Sequence, residues 1–360
     1  MGNQQQERSM NTTAVIHIVG ARPQFIKLSP VAEAFKRCGI PYKVVHTGQH
    51  YDHAMSDVHF DTLGIDPPDY HLGVGSSSHA KQTARMLEAV EEILTAERPS
   101  LVLVYGDTNS TLAGALCAVK LGIPVGHVEA GVRSFDRNMP EEINRVVTDH
   151  VAAYHFCPTE NAVALLAKEG ITGIFTGDVM YDALNRFSRM HIPHPYAPPF
   201  VLTTIHRAEN TDRRERFLGI WKALEKLSQD IPVIFPVHPR TKNLFPGLIR
   251  SAKNGIRVIE PVSYLAMLAM IRDASCVLTD SGGVQKEAFL LKTPCVTVRD
   301  TTEWPETIDA GANVLVEPDP AKIHLAVMDM TGRTGFTAVN PFGDGSASDH
   351  IARFIREHII

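Results

Sequence analysis

No stretch of this chain approaches the ~18 consecutive apolar residues that a membrane-spanning helix needs, so the sequence predicts no transmembrane segment. Cysteine is sparse: Cys38, Cys117, Cys157, Cys276 and Cys295 are scattered, odd in number and form no CxxC pair. That excludes the disulfide framework of small secreted domains and gives no zinc signature. Cys276 and Cys295 lie in apolar, strand-like runs where buried thiols are common, and all five are expected to be reduced and structural, as in a cytoplasmic protein. Neither sign of charge is in large excess, with 35 Lys and Arg against 40 Asp and Glu and a net charge of -5. A broad nucleic-acid surface would need a strong basic excess, so only a local basic pocket for a phosphorylated ligand is left open. No GxGxxG follows the first strand and no GxxxxGK[ST] occurs, which removes the usual dinucleotide and P-loop signatures. Residues 1–13, MGNQQQERSMNTT, lack the apolar core of a signal peptide and are expected to form a disordered tail.

What is present is an alternation. The 360 residues suggest two domains, and 44% hydrophobic content against 21% charged is enough for each to bury a core. Apolar runs at 14–19, 43–46, 101–105 and 125–128, and one ending at Cys157, alternate with helical patterns reaching Arg37 and spanning 81–97, 110–121 and 141–150. Such alternation signals βαβ units around a parallel sheet. A proline-dense connection, HIPHPYAPP, follows Met190. Runs then resume at 200–204, 233–236, 257–259, 276–279 and 295–298. The reading is an α/β protein of two doubly wound domains, 14–182 and 183–346, with a terminal helix at 347–360 joining the first.

Unusual polar clusters follow the strands directly. They are Gly20-Ala21-Arg22-Pro23, Thr47-Gly48-Gln49-His50, Gly106-Asp107-Thr108-Asn109 and Glu129-Ala130-Gly131-Val132-Arg133, then His206-Arg207, His238-Pro239-Arg240, Ser281-Gly282-Gly283 and Arg299-Asp300. Each alone reads as turn chemistry. Eight together, rich in Arg, His, Asp and Glu, point to ligand binding outside the carboxyl ends of the strands. Ser281-Gly282-Gly283 opens a helical stretch, where backbone N–H groups and the positive helix end favour a phosphate. The plain alternative for Ser281 is an N-cap. Glu287, one turn further, suits ribose hydroxyls or is a solvated helix residue. Arg22 is the first candidate for bidentate diphosphate contacts and Arg207 the second. Acid–base candidates are Asp107, Glu129, Glu141 and His206. A metal on His127, Glu129 and Asp107 is a further alternative without a compact ligand motif behind it. His17 reads as a satisfied core histidine, and Glu142 as a helix-dipole residue.

As an ordered set the motifs are specific: GARPQFIK at 20–27, TGQHYD at 47–52, YGDTNSTLAGA at 105–115, HVEAGVRS at 127–134, MPEEINR at 139–145, GDVMYDA at 177–183, IHRAEN at 205–210, TDSGGVQKEA at 279–288 and RDTTEWPE at 299–306. From about Ile16 onward the chain resembles the non-hydrolysing UDP-N-acetylglucosamine 2-epimerases. The resemblance implies a GT-B-type fold, two Rossmann-like domains facing a central cleft, acting without a cofactor or metal as a cytoplasmic homodimer that feeds surface polysaccharide synthesis. It implies that Arg22, Ser281, Gly282 and Gly283 hold the diphosphate, that Glu287 binds the ribose, and that Gln49 lies near the uracil and Lys27 near the site. It gives catalytic roles to Asp107, Glu129, Glu141 and His206. Gln24 and Trp304 depart from many members, and GARPQFIK, MPEEINR and GDVM also resemble the branch acting on UDP-2,3-diacetamido-2,3-dideoxyglucuronate. Rivals are a GT-B glycosyltransferase, a hydrolysing epimerase and a non-catalytic UDP-sugar sensor; the last would have no need of the four acid–base candidates.

Overall fold

The computed structural model describes residues 15–49, 63–188, 190, 192–252, 255–333, 336 and 340–360. The expected tail 1–13, residue 14 of the first strand, and His50, Tyr51 and Asp52 of the second motif lie outside the described residues. The chain divides into two compact units, Met1–Ala183 with Pro341–Ile360, and Leu184–Asn340.

Among the described residues the first unit is built on seven parallel strands in the order β3-β2-β1-β4-β5-β6-β7. They are β1 (Val15–Val19), β2 (Tyr42–His46), β3 (Tyr70–His71), β4 (Leu101–Tyr105), β5 (Val125–Val128), β6 (Tyr154–Cys157) and β7 (Ile174–Phe175). The helices between them are α1 (Arg22–Cys38), α2 (His79–Glu97), α3 (Asn109–Lys120), α4 (Pro140–Val151), α5 (Glu160–Lys168) and α6 (Val179–Phe187). Strands β1 and β4 are fully buried and, apart from His17 and Tyr105, consist of β-branched and aliphatic residues, as a sheet covered on both faces requires. Ile16, Ile18, Val102, Val104 and Val125 pack against Val90 and Leu94 of α2 and Ala115 and Ala118 of α3.

Among the described residues the second unit repeats the plan with six parallel strands, β10-β9-β8-β11-β12-β13. These are β8 (Val201–Thr204), β9 (Val233–Pro236), β10 (Ile256–Ile259), β11 (Cys276–Thr279), β12 (Cys295–Val298) and β13 (Asn313–Val316). Its helices are α7 (Ala208–Thr211), α8 (Arg214–Leu227), α9 (Pro239–Leu244), α10 (Pro246–Arg250), α11 (Tyr264–Asp273), α12 (Gly282–Leu290), α13 (Pro305–Asp309) and α14 (Pro320–Met330). Successive strand residues feed opposite faces: Val201, Val233 and Cys276 meet Phe217, Trp221 and Leu224, while Leu202, Ile234 and Val277 meet Met270, Ile271 and Ala288. In each unit the strand order reverses beside the first strand, the switch point at which open α/β sheets bind ligands.

The last helix, α15 (Ala347–His358), belongs to the first unit. Asp182 accepts the N–H groups of Ala347 and Ser348 at 3.2 and 2.7 Å, and Arg37 of α1 donates to Asp349 at 2.6 Å. Element ends shift by one or two residues from the sequence expectation: β2 begins at Tyr42, α2 at His79 and α3 at Asn109. Strands β3, β7 and β13 were not anticipated; they lie at the sheet edges. Among the described residues no helix is long and apolar enough to cross a membrane.

Candidate active site

Strand β1 passes into α1 through Gly20, where an added Cβ would stand 2.0 Å from Thr47 Oγ1 and 2.2 Å from Ser110 Oγ, so only glycine fits. Gln24 closes this turn. Its carbonyl accepts Gly20 N and Ala21 N at 2.7 and 3.1 Å, and its amide donates to Tyr105 O at 2.8 Å. A glutamate at this position has no proton for Tyr105 O once ionised, so the amide is matched to its surroundings. Arg22, the first residue of α1, is exposed and has no partner among the described residues. Gln49 is tied instead to the start of α3, its carbonyl accepting Ser110 N at 3.0 Å and Ser110 Oγ at 2.7 Å.

Lys27 is buried on α1 and its ammonium pairs with Glu129 Oε1. The two close over the turn after β4: a Cβ on Gly106 (φ 61°) would lie 3.1 Å from Lys27 Nζ and 3.4 Å from Glu129 Oε1. That turn carries Asp107, whose carbonyl accepts Asn144 Nδ2 at 2.9 Å and whose carboxylate is paired with Arg145. Glu129 has φ 75°, a left-handed conformation costing a non-glycine residue roughly 1–2 kcal/mol. Glu141 lies in the first turn of α4, partly exposed and without a partner among the described residues. The structure thus brings Lys27, Asp107 and Glu129 together at one sheet edge, with Glu141 on the helix that holds Asp107.

Three sequence expectations change here. Glu142 lies in the first turn of α4, as a helix-dipole residue should, but that is not its whole role. It is buried and accepts Ser134 N, Ser134 Oγ and Phe135 N, each at 2.9 Å, besides Arg145 at 2.7 Å. The metal alternative fails on donor chemistry. Both ring nitrogens of His127 are engaged by oxygen atoms, Asp149 Oδ1 at 2.6 Å and Gly106 O at 2.7 Å, rather than open to an ion. Among the described residues no group of three His, Cys, Asp or Glu side chains is placed to hold a metal. His17 is only half satisfied: Nδ1 meets Tyr105 Oη at 2.6 Å, and Nε2 has no partner among the described residues. Burial pushes its pKa down to about 3.

Behind this edge lies a chain of charges that sequence reasoning missed. Asp149 accepts His127, Arg133 Nη1 at 2.6 Å and Gly131 N at 3.1 Å, and Arg133 also grips Glu169 through two bonds of 2.9 and 2.8 Å. Burial pushes the Asp149 carboxyl upward, but His127 and Arg133 more than offset it and hold it below the usual range.

In the second unit Ser281 caps α12 and accepts Val284 N at 3.5 Å. A Cβ on Gly282 would fall 2.2 Å from Glu303 Oε1 and 3.6 Å from Arg207 Nη2, which places both beside the helix start. A Cβ on Gly283 would meet nothing nearer than Ser281 Oγ at 4.0 Å, so this position faces open space. Glu287 is buried rather than solvated. Asp280, fully buried, accepts His206 N twice at 3.1 Å, Arg207 N at 3.0 Å and Asn210 Nδ2 at 3.2 Å. His206 Nδ1 lies 3.6 Å from the same carboxylate and its ring stacks on His238 at 5.3 Å. Burial raises the nearby Glu209 carboxyl above its ordinary range. His206, Arg207, Ser281, Gly282 and Glu303 therefore cluster at the carboxyl ends of β8 and β11.

Two Rossmann-like domains with these strand-end clusters define a GT-B-type enzyme fold. The chain belongs to the UDP-N-acetylglucosamine 2-epimerase family, whose model matches residues 33–356. It is 48% identical over 357 residues to a UDP-N-acetylglucosamine 2-epimerase homolog of Methanococcus maripaludis, covering 95% of this chain and 99% of that one. It is 45% identical to the UDP-2,3-diacetamido-2,3-dideoxy-D-glucuronate 2-epimerase of Pseudomonas aeruginosa, covering 95% and 99%. The crystal structure of Methanocaldococcus jannaschii UDP-GlcNAc 2-epimerase in complex with UDP-GlcNAc and UDP superposes with a TM-score of 0.89 at 42% identity, covering 96% and 99%.

Proposed function

We propose that the chain interconverts UDP-N-acetylglucosamine and UDP-N-acetylmannosamine by inverting carbon 2, without hydrolysis. The observation that carries this is the gathering of Lys27, Asp107 and Glu129 over the Gly106 turn, with Glu141 on the adjoining helix, in a member of this family. The hydrogen on carbon 2 is not next to a carbonyl, so its direct removal is very difficult. Elimination avoids the problem. A carboxylate takes the carbon 2 proton as the bond from carbon 1 to the diphosphate oxygen breaks, leaving a glycal and UDP. A proton returns to the opposite face of carbon 2 and UDP adds back to carbon 1. Acid–base groups are needed on both faces, the role of Asp107, Glu129 and Glu141. The leaving diphosphate needs stabilisation, the role of Arg22, the amides of Ser281, Gly282 and Gly283, and His206. Glu287 takes the ribose, Gln49 lies near the uracil, and Lys27 sets the Glu129 carboxylate. The same assignment carries a homodimer in the cytoplasm supplying surface polysaccharide synthesis.

A second substrate, UDP-2,3-diacetamido-2,3-dideoxyglucuronate, is supported by the 45% identity to the Pseudomonas aeruginosa enzyme. The test is proton NMR of the protein with each nucleotide sugar in D₂O. Product inverted at carbon 2 and deuterated there is the expected outcome. Free sugar with UDP would show hydrolysis and overturn the assignment.

A further inference from the structure

We propose that Arg145 is the positioning residue for the Asp107 carboxylate, held in its own place by Glu142. Asp107 sits on a strand-end turn with its side chain about a third exposed, and a glycine with positive φ precedes it. Such a turn does not by itself fix a carboxylate. The fixing comes from α4. Arg145, nearly buried, donates through Nη2 to Asp107 and through Nη1 to Glu142 Oε2 at 2.7 Å. One residue earlier, Asn144 Nδ2 donates to Asp107 O at 2.9 Å and to Asn109 Oδ1 at 3.2 Å. Backbone and carboxylate of Asp107 are therefore gripped by adjacent residues of one helix.

Glu142 makes that grip rigid. Its carboxylate is saturated by Ser134 N, Ser134 Oγ, Phe135 N and Arg145, so the guanidinium has little freedom to turn. The same helix carries Glu141 in its first turn, and positions three and four apart share a helix face. Glu141, Asn144 and Arg145 are spaced in that way. The separation of the two acids, Asp107 and Glu141, is thus set through a single rigid element. That matters because misplacing a reacting group by about 1 Å costs on the order of 100-fold in rate.

This inference rests on Asp107 acting on the sugar as proposed above. The experiment compares Arg145→Gln, Arg145→Lys, Glu142→Gln and Asp107→Asn in epimerisation of UDP-N-acetylglucosamine, with kcat and KM resolved and melting temperature recorded. Arg145→Gln is expected to lower kcat about 100-fold with KM within about threefold. Arg145→Lys, which keeps one charged donor, should recover about tenfold of that loss. Glu142→Gln should lower kcat about tenfold at unchanged KM, and it decides the matter if Arg145→Gln does not fold. Arg145→Gln with parental kcat beside an inactive Asp107→Asn would overturn the inference alone. So would equal losses in the Gln and Lys variants that follow melting temperature. A fully active Asp107→Asn would remove the Asp107 assignment itself.

Discussion

Asp107, Glu129 and Glu141 are three carboxylates in unlike surroundings. Asp107 is paired with Arg145 and Glu129 with Lys27, while Glu141 has no partner among the described residues. Each is assigned a proton-transfer role, so Asp107→Asn, Glu129→Gln and Glu141→Gln should each abolish epimerisation. UDP affinity, measured by titration calorimetry, should stay within about tenfold, or about 1.4 kcal/mol. Another residue-scale consequence concerns His17, whose folded pKa near 3 lies below its ordinary 6.5. Below pH 6.5 the unfolded chain binds a proton that the folded one refuses. The His17 contribution is therefore complete above pH 6.5 and declines as pH falls, until the folded ring also protonates near pH 3. At pH 5 the loss is about 2 kcal/mol. Hydrogen exchange of the β1 amides at pH 7 and pH 5 should record it, and His17→Gln should remove that pH dependence. At this scale the sequence exposed the residues that end strands, because glycine, arginine and acid clusters interrupt apolar runs there. The contacts of Arg145, Glu142, Asp149 and Asp280 stayed hidden because they are made to groups on other elements. The signal for Arg145 was its spacing of three from Glu142 and four from Glu141, legible only once the helix is placed.

Helices α4 and α15 each decide something beyond their own length. The proline at the first position of α4 and the two acids in its first turn fix where it starts, and so which residues reach the Gly106 turn. α15 buries Ile351, Ala352 and Ile355 and depends on a remote cap, the Asp182 carboxylate. Asp182→Ala should cost about 1–2 kcal/mol, the range for a lost N-cap, seen as faster exchange in α15 and a lower melting temperature for the first unit. Central strands were readable because β1, β4, β8 and β11 are buried along their whole length and rich in aliphatic and β-branched residues. β3 and β7 were not: each is two residues long and one-sided, with an intermediate residue followed by an exposed one. β13 offers a buried asparagine followed by partly exposed residues, a pattern that does not mark a strand.

At the scale of the whole molecule, two sheets of the same strand order arise without an evident sequence repeat. The topology is set by the alternation of apolar runs and helices rather than by particular residues. If nucleotide binds the folded chain alone, UDP at 100 times its Kd should stabilise it by about 2.7 kcal/mol. Scanning calorimetry would read this as a melting temperature that climbs with UDP concentration; a trace indifferent to UDP would remove the nucleotide site.

The place of α15 in the chain also sets a timetable. Residues 184–340 form one continuous unit, able to fold as soon as they leave the ribosome, whereas the first unit waits for its last helix. At typical synthesis rates that wait is roughly 10–35 s. Meanwhile Tyr154 and Phe156, which later pack against Phe354 with ring centroids 5.6 Å apart, have no cover from that side. The portion of the protein made first is completed last, and during that interval its apolar flank is open to chaperones or to a neighbouring nascent chain.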